Sequence, residues 1–159
     1  SLYEGGMRVP GIMHWPGKIP DGQVLGEPCA AMDIFPTMLN AAGGDVSQYE
    51  VTGMDILPYV VKGDELSERT IYWEMGKQTA VRRGKWKLVM NGQLVEASPP
   101  ENELHLANLE EDMGEKHNLK DVNPDVTEDL QHAAEDWRIN IEERWEREFS
   151  PKKQGTVTH

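Results

Sequence analysis

The closing stretch NPDVTEDLQHAAEDWRINIEERWEREF, residues 123–149, constrains the fold more than any other part of the chain. Val126, Leu130, Ala133, Ala134, Trp137, Ile141 and Trp145 recur at spacings of three and four, which places them along one side of an α-helix. The remaining positions are mostly charged, so the helix has one face to bury and one to leave in water. Asn123 stands where an N-cap belongs and Pro124 at the first helical position, where its missing N–H costs nothing. Such a helix needs an apolar surface to lie on.

The preceding residues supply one. TIYWEM, TAVRRGKWKLVMNG, QLVEA and NELHLANL are short β-like runs separated by turns, the pattern of an antiparallel meander. Arg83-Gly84 fits a tight hairpin. Beyond it, alternation puts Trp86 and Leu88 on one face and Lys85, Lys87 and Val89 on the other. RRGKWK is thus expected to keep its four bases in water while the tryptophan packs inward. A small α+β domain over 67–149 follows, with residues 150–159 as a frayed tail.

Residues 1–66 read differently. MRVPGIMHW is apolar enough for a strand buried on both faces, interrupted by Pro10 and Gly11. MDIFPTMLNAAGG predicts a short helix with Asp33 as N-cap, Gly43 as stop, and Phe35, Met38, Leu39 and Ala42 along one face. MDILPYVVKG predicts a second, with Asp55 as cap and Gly63 as stop. One strand and two helices lack sheet partners of their own, so this region reads as the end of a larger α/β domain. An apolar strand edge between Val9 and Trp15 would then lie open to self-association.

The charge is unevenly distributed. Of the formal −12, residues 1–95 hold 11 acids and 9 bases, whereas residues 96–148 hold 17 acids and 5 bases. A surface this acidic repels phosphate backbones, which argues against nucleic-acid binding. No apolar run approaches the roughly 18 residues of a membrane span. The lone Cys29 excludes an internal disulfide and a thiolate zinc site.

Candidate chemistry is sparse. Five histidines are scattered without an i,i+4 pair. Asp112, Glu115 and His117 in DMGEKHN form the one loop cluster mixing carboxylates with imidazole, read here as a turn before the last helix. Glu4 and Arg8 are placed for a structural ion pair, and no nucleophile stands beside a base. These residues alone nominate no catalytic group and no metal ligand.

The order of the motifs is more informative. YEGGMRVPGIMHWPGKIPDGQ, MDIFPTMLNAAGG, TGMDILPYVVKG, AVRRGKWKLV and ELHLANLEEDMGEKHNL succeed one another as the C-terminal third of sulfatases does. The likeness is to arylsulfatases and N-acetylgalactosamine-6-sulfatase-like enzymes of the alkaline phosphatase superfamily. It covers about residues 1–120, and the closing helix fits; Met113 departs from the family's usual proline.

The resemblance implies the C-terminal portion of an alkaline-phosphatase-like fold, α/β continuing into α+β, with a small antiparallel sheet packed on one long helix. It implies a parent that hydrolyses sulfate esters using calcium and a formylglycine made from cysteine or serine. The C-x-P-S-R motif of that residue is absent, and Cys29 is followed by Ala30-Ala31-Met32. The family's calcium ligands and sulfate-contacting lysine precede the region matched. The missing N-terminal part of the catalytic domain is the implied partner, and export from the cytoplasm the implied location. In the family the C-terminal subdomain can close one side of the substrate cleft. That makes NGQLVEASPPEN a candidate rim, with Ser98 and Glu101 as its residues. A chain so constituted is expected to be inactive alone; the alternatives are a stand-alone binding module derived from a sulfatase C-terminus, or a fragment of a related phosphodiesterase or phosphonate hydrolase.

Overall fold

The computed structural model describes residues 1–95 and 98–150. It forms two compact units, one of Ser1–Val9 with Glu68–His159, the other of Pro10–Ser67.

The first unit is built on four strands, β1 (Thr70–Met75), β2 (Gln78–Arg83), β3 (Trp86–Gly92) and β4 (Asn102–Asn108). They pair antiparallel in sequence order, as the meander pattern requires. The β2–β3 hairpin turns on Gly84-Lys85, with Arg83 opposite Trp86 and Gly84 at φ +54°, where glycine avoids the Cβ penalty. Residues 93–95 of the expected QLVEA strand form no strand, and residues 96 and 97 lie outside the described set.

Register sorts the side chains onto two faces. Val81, Leu88 and Leu106 stand in one cross-strand row and pack with Leu130 and Ala134 of α4 (Pro124–Glu148). All five are essentially inaccessible to water, and burying each large aliphatic is worth about 1.5–3 kcal/mol. Tyr72 stacks on Trp137 with centroids 5.0 Å apart, and Arg138 Nη1 donates to Thr79 Oγ1 at 2.8 Å. The helix is thereby fixed along the sheet as well as against it. The Asn123 side chain makes no cap bond; its carbonyl accepts from Thr127 N–H instead.

The opposite face carries Ala80, Val89 and His105 in one row and Arg82, Lys87 and Ala107 in the next. Here the structure departs from the sequence reading. Residues 8–15 form no strand; the N-terminal segment instead makes one helical turn, α1 (Glu4–Met7), in the same unit as the sheet. Leu2 and Tyr3 pack with Ala80 and Val89. Gly92 permits this approach, because a Cβ there would lie 2.7 Å from Tyr3 Oη. The strand edge expected between Val9 and Trp15 does not exist, although Val9 and Ile12 are exposed, and edge pairing loses its basis.

The outer edge of β4 is covered by the segment that follows it. Leu119 N–H donates to Leu106 O, while Asn118 accepts from Leu106 N–H and donates to Leu104 O. These bonds occupy backbone groups that would otherwise template another strand.

In the second unit, α2 (Ile34–Ala41) and α3 (Leu57–Lys62) match the two predicted helices. Asp33 occupies the expected N-cap position of α2, but its side chain makes no cap bond to that helix. Its buried carboxylate accepts from Ala30 N–H at 2.7 Å and Met54 N–H at 3.0 Å, joining two loops. Asp55 accepts from Leu57 N–H at 2.8 Å and so caps α3 from one position before Ile56. Phe35 and Met38 are exposed; Pro36 and Thr37 are the buried residues of α2.

Candidate functional site

The β3 alternation sends Lys87 to the face covered by α1, and the lysine is completely buried there. This corrects the expectation that all four bases of RRGKWK stay in water. A buried ammonium is tolerable only when paired and hydrogen-bonded. Lys87 Nζ lies 2.8 Å from Glu4 Oε1 and 3.1 Å from Glu115 Oε1. Glu115 Oε2 accepts the backbone N–H of Glu4, so one glutamate holds both the cation and the main chain of α1. Glu4 also faces Arg8 at 3.8 Å, the anticipated pair, on the half-exposed rim of the cluster.

Glu115 reaches this point from a strained backbone. Its φ of +50° is in the left-handed region, which costs a non-glycine residue about 1–2 kcal/mol. The ion pair and the Glu4 bond hold it there. The Asp112 and His117 side chains pair with each other and not with the Glu115 carboxylate: Asp112 Oδ2 accepts from His117 N–H at 2.8 Å and meets His117 Nδ1 at 3.0 Å, while Asp112 O accepts from Glu115 N–H at 3.0 Å. The His117 N–H, ahead of its imidazole, holds the Asp112 carboxyl below its ordinary range.

Beside the cluster lies a cleft of about 560 Å³ between the N-terminal segment and β4 with its flanking loops. Tyr3, Leu94, Glu101, Asn102, His105 and Glu115 are among its lining residues, as is Ser1. His105 meets Tyr3 edge-on with centroids 5.4 Å apart, and neither ring nitrogen has a hydrogen-bond partner in satisfactory geometry. Burial holds this imidazole below its ordinary value, against the opposing pull of the Glu115 carboxylate and backbone. Burial first, then the Glu115 and Glu101 carboxylates, push the Tyr3 phenol up. Of the two rim residues nominated from sequence, Glu101 lines the cleft, with its N–H bonded to Gly92 O. Ser98 does not; its hydroxyl donates to Val95 O at 2.7 Å and shapes the loop. His105 and Lys87 were missed from sequence. The strand alternation places Lys87 and Val89 on one face, but nothing local says that α1 covers it.

The other bases of RRGKWK are dispersed. Arg83 binds Asp129 and Thr70, Arg82 Nε donates to Gly84 O, and Lys85 sits 5.6 Å from the Trp86 ring. Among the described residues no group of three or more His, Cys, Asp and Glu is arranged to hold a metal ion, and no helix is long and apolar enough to cross a membrane. Exposed Cys29 is not in a C-x-P-S-R setting. Neither a calcium donor set nor a formylglycine setting is found among the described residues.

Sheet, covering helix and motif order define a sulfatase C-terminal domain. The family described as N-sulphoglucosamine sulphohydrolase, C-terminal, matches residues 1–140, and the chain belongs to it. It is 41% identical over 89 residues to N-acetylgalactosamine-6-sulfatase of Sus scrofa, covering 55% of this chain and 17% of that one. It is 31% identical over 139 residues to an uncharacterized sulfatase of Schizosaccharomyces pombe, covering 81% and 24%. Among solved structures, Ps i-CgsB superposes with a TM-score of 0.60 at 25% identity, over 78% of this chain and 27% of that one. The chain thus spans a quarter or less of these curated relatives. YEGGMRVPGIMHWPGKIPDGQ supplies Glu4, AVRRGKWKLV supplies Lys87 and ELHLANLEEDMGEKHNL supplies Glu115. Three separated motifs meet at one buried charge cluster.

Proposed function

We propose that this chain is the C-terminal part of a sulfatase whose intact form hydrolyses sulfate esters, and that the chain is inactive alone. The observation that carries the reading is family membership over residues 1–140 in a sequence without the C-x-P-S-R motif. The sulfatase names of the relatives support sulfate esters as the parent's substrates. Calcium and formylglycine belong in this reading to the preceding part of the protein.

The role of the chain is architectural at the catalytic domain's end and recognitional at the cleft. Residues 10–67 complete the catalytic domain, and Glu101 stands on the substrate rim. The Glu4–Lys87–Glu115 cluster fastens the E-GG turn to the C-terminal sheet, fixing the direction from which the preceding chain arrives. The test is the nucleotide sequence upstream of the Ser1 codon. An in-frame continuation carrying C-x-P-S-R or S-x-P-x-R supports the proposal. A stop codon and ribosome-binding site immediately ahead of Ser1 would overturn it.

A further inference from the structure

We infer that the open edge of β1 docks the β1 of a second copy of this chain, the two strands pairing antiparallel about Tyr72 into one continuous sheet. The inference goes beyond the sulfatase reading and does not rest on it. It concerns a different edge from the one expected between Val9 and Trp15.

The two edges of the sheet are finished differently. The outer backbone groups of β4 are occupied by Asn118 and Leu119. β1 pairs continuously with β2, from Thr70 opposite Arg83 to Met75 opposite Gln78. Among the described residues, no backbone group of Thr70–Met75 bonds beyond β2. Alternate residues of an edge strand turn N–H and C=O outward, a template for another strand. The usual protections are missing: TIYWEM contains no proline, lysine or bulge, and its one charge, Glu74, lies 3.5 Å from Arg138. Tyr72 and Trp73, which pack on opposite faces of the sheet, are only half-buried at this edge.

Charge and register name the occupant. A two-fold axis normal to the sheet preserves its faces, so residues directly opposite must share a face and the axis must pass through a residue. Centred on Ile71, the pairing sets Glu68 opposite Glu74; centred on Trp73, it sets Arg69 opposite Lys77. Like charges directly opposite destabilise a strand pair. Centred on Tyr72, Ile71 lies opposite Trp73, Thr70 opposite Glu74 and Arg69 opposite Met75, and no like charges meet. Aromatic and β-branched residues are favoured cross-strand partners. The strand is its own complement in that register.

Sedimentation equilibrium of the 159-residue chain tests this. Dimer is expected by about 100 µM, with exchange of the β1 amides slowing as concentration rises. Met75 is 42% exposed, so a charge placed there keeps the fold. In the Tyr72-centred dimer each such charge faces Arg69 of the second copy, twice over. Met75→Lys should weaken the dimer about fivefold, and Met75→Glu should tighten it by a similar factor. A monomer at every concentration up to about 1 mM overturns the inference. So does a dimer that both substitutions shift alike or leave unchanged, because another surface, such as the exposed Trp145 and Phe149 of α4, is then the contact. Turnover plays no part in the measurement, so the proposed function and this inference can fail separately.

Discussion

Lys87 Nζ and Glu4 Oε1 lie 2.8 Å apart across 83 residues of chain, and neither side chain has appreciable access to water. The pair brings the start of the chain onto the sheet at a point that Glu115 also reaches. Buried ion pairs contribute little over well-packed apolar replacements, yet breaking one from a single side is costly.

Lys87→Met should therefore destabilise the first unit by about 3–5 kcal/mol, because two buried carboxylates lose their cation. Adding Glu4→Gln and Glu115→Gln should restore part of that loss. Urea unfolding monitored by tryptophan fluorescence provides the comparison. A single substitution no worse than the triple one would contradict the placement of the cluster.

His105 makes stability depend on pH. Its folded pKa lies below the ordinary 6.5, so the unfolded chain binds the proton more readily. The His105 contribution is therefore complete above about pH 6.5 and is lost progressively as pH falls toward the lower folded value. In the difference between wild type and His105→Phe, wild-type stability should drop through that window. A flat or opposite difference, measured by urea midpoints at several pH values, would show that the imidazole is not held neutral.

Asp33→Ala removes the acceptor of Ala30 N–H and Met54 N–H from a fully buried position. Each donor left unpaired costs about 1–3 kcal/mol. Amide exchange should accelerate at Ala30 and Met54 and across α2 while the β2–β3 amides keep their protection. Uniform loss of protection throughout the chain would contradict the division into two compact units.

What could be read from sequence follows interaction range. The β2–β3 hairpin, the faces of Trp86 and Leu88 and the terminal helix are encoded by neighbours in sequence and form as expected, but Ile141 and Trp145 of the helix's apolar stripe stay exposed. Lys87 looked like a solvated lysine because its burial depends on residues 1–9, which come back to the sheet from more than 70 positions away. The apolar run MRVPGIMHW suggested a strand for the same reason. Its apolarity is local information, whereas the packing of Leu2 and Tyr3 against Ala80 and Val89 is not. Glu101 was nominated through the family resemblance and lines the cleft; Ser98 was nominated with it and turns away to Val95. Asp33 carried a capping signature, but its carboxylate serves a loop 21 residues away that no local rule identifies.

The central claim is that this chain completes a sulfatase and does not act as one. The direct measurement is sulfate release from an aryl sulfate ester in the presence of calcium, by the 159-residue chain and by the longer polypeptide encoded in frame with it. No turnover by the chain alone and turnover by the longer polypeptide is the predicted result. Calcium-dependent release by the isolated chain would contradict the account.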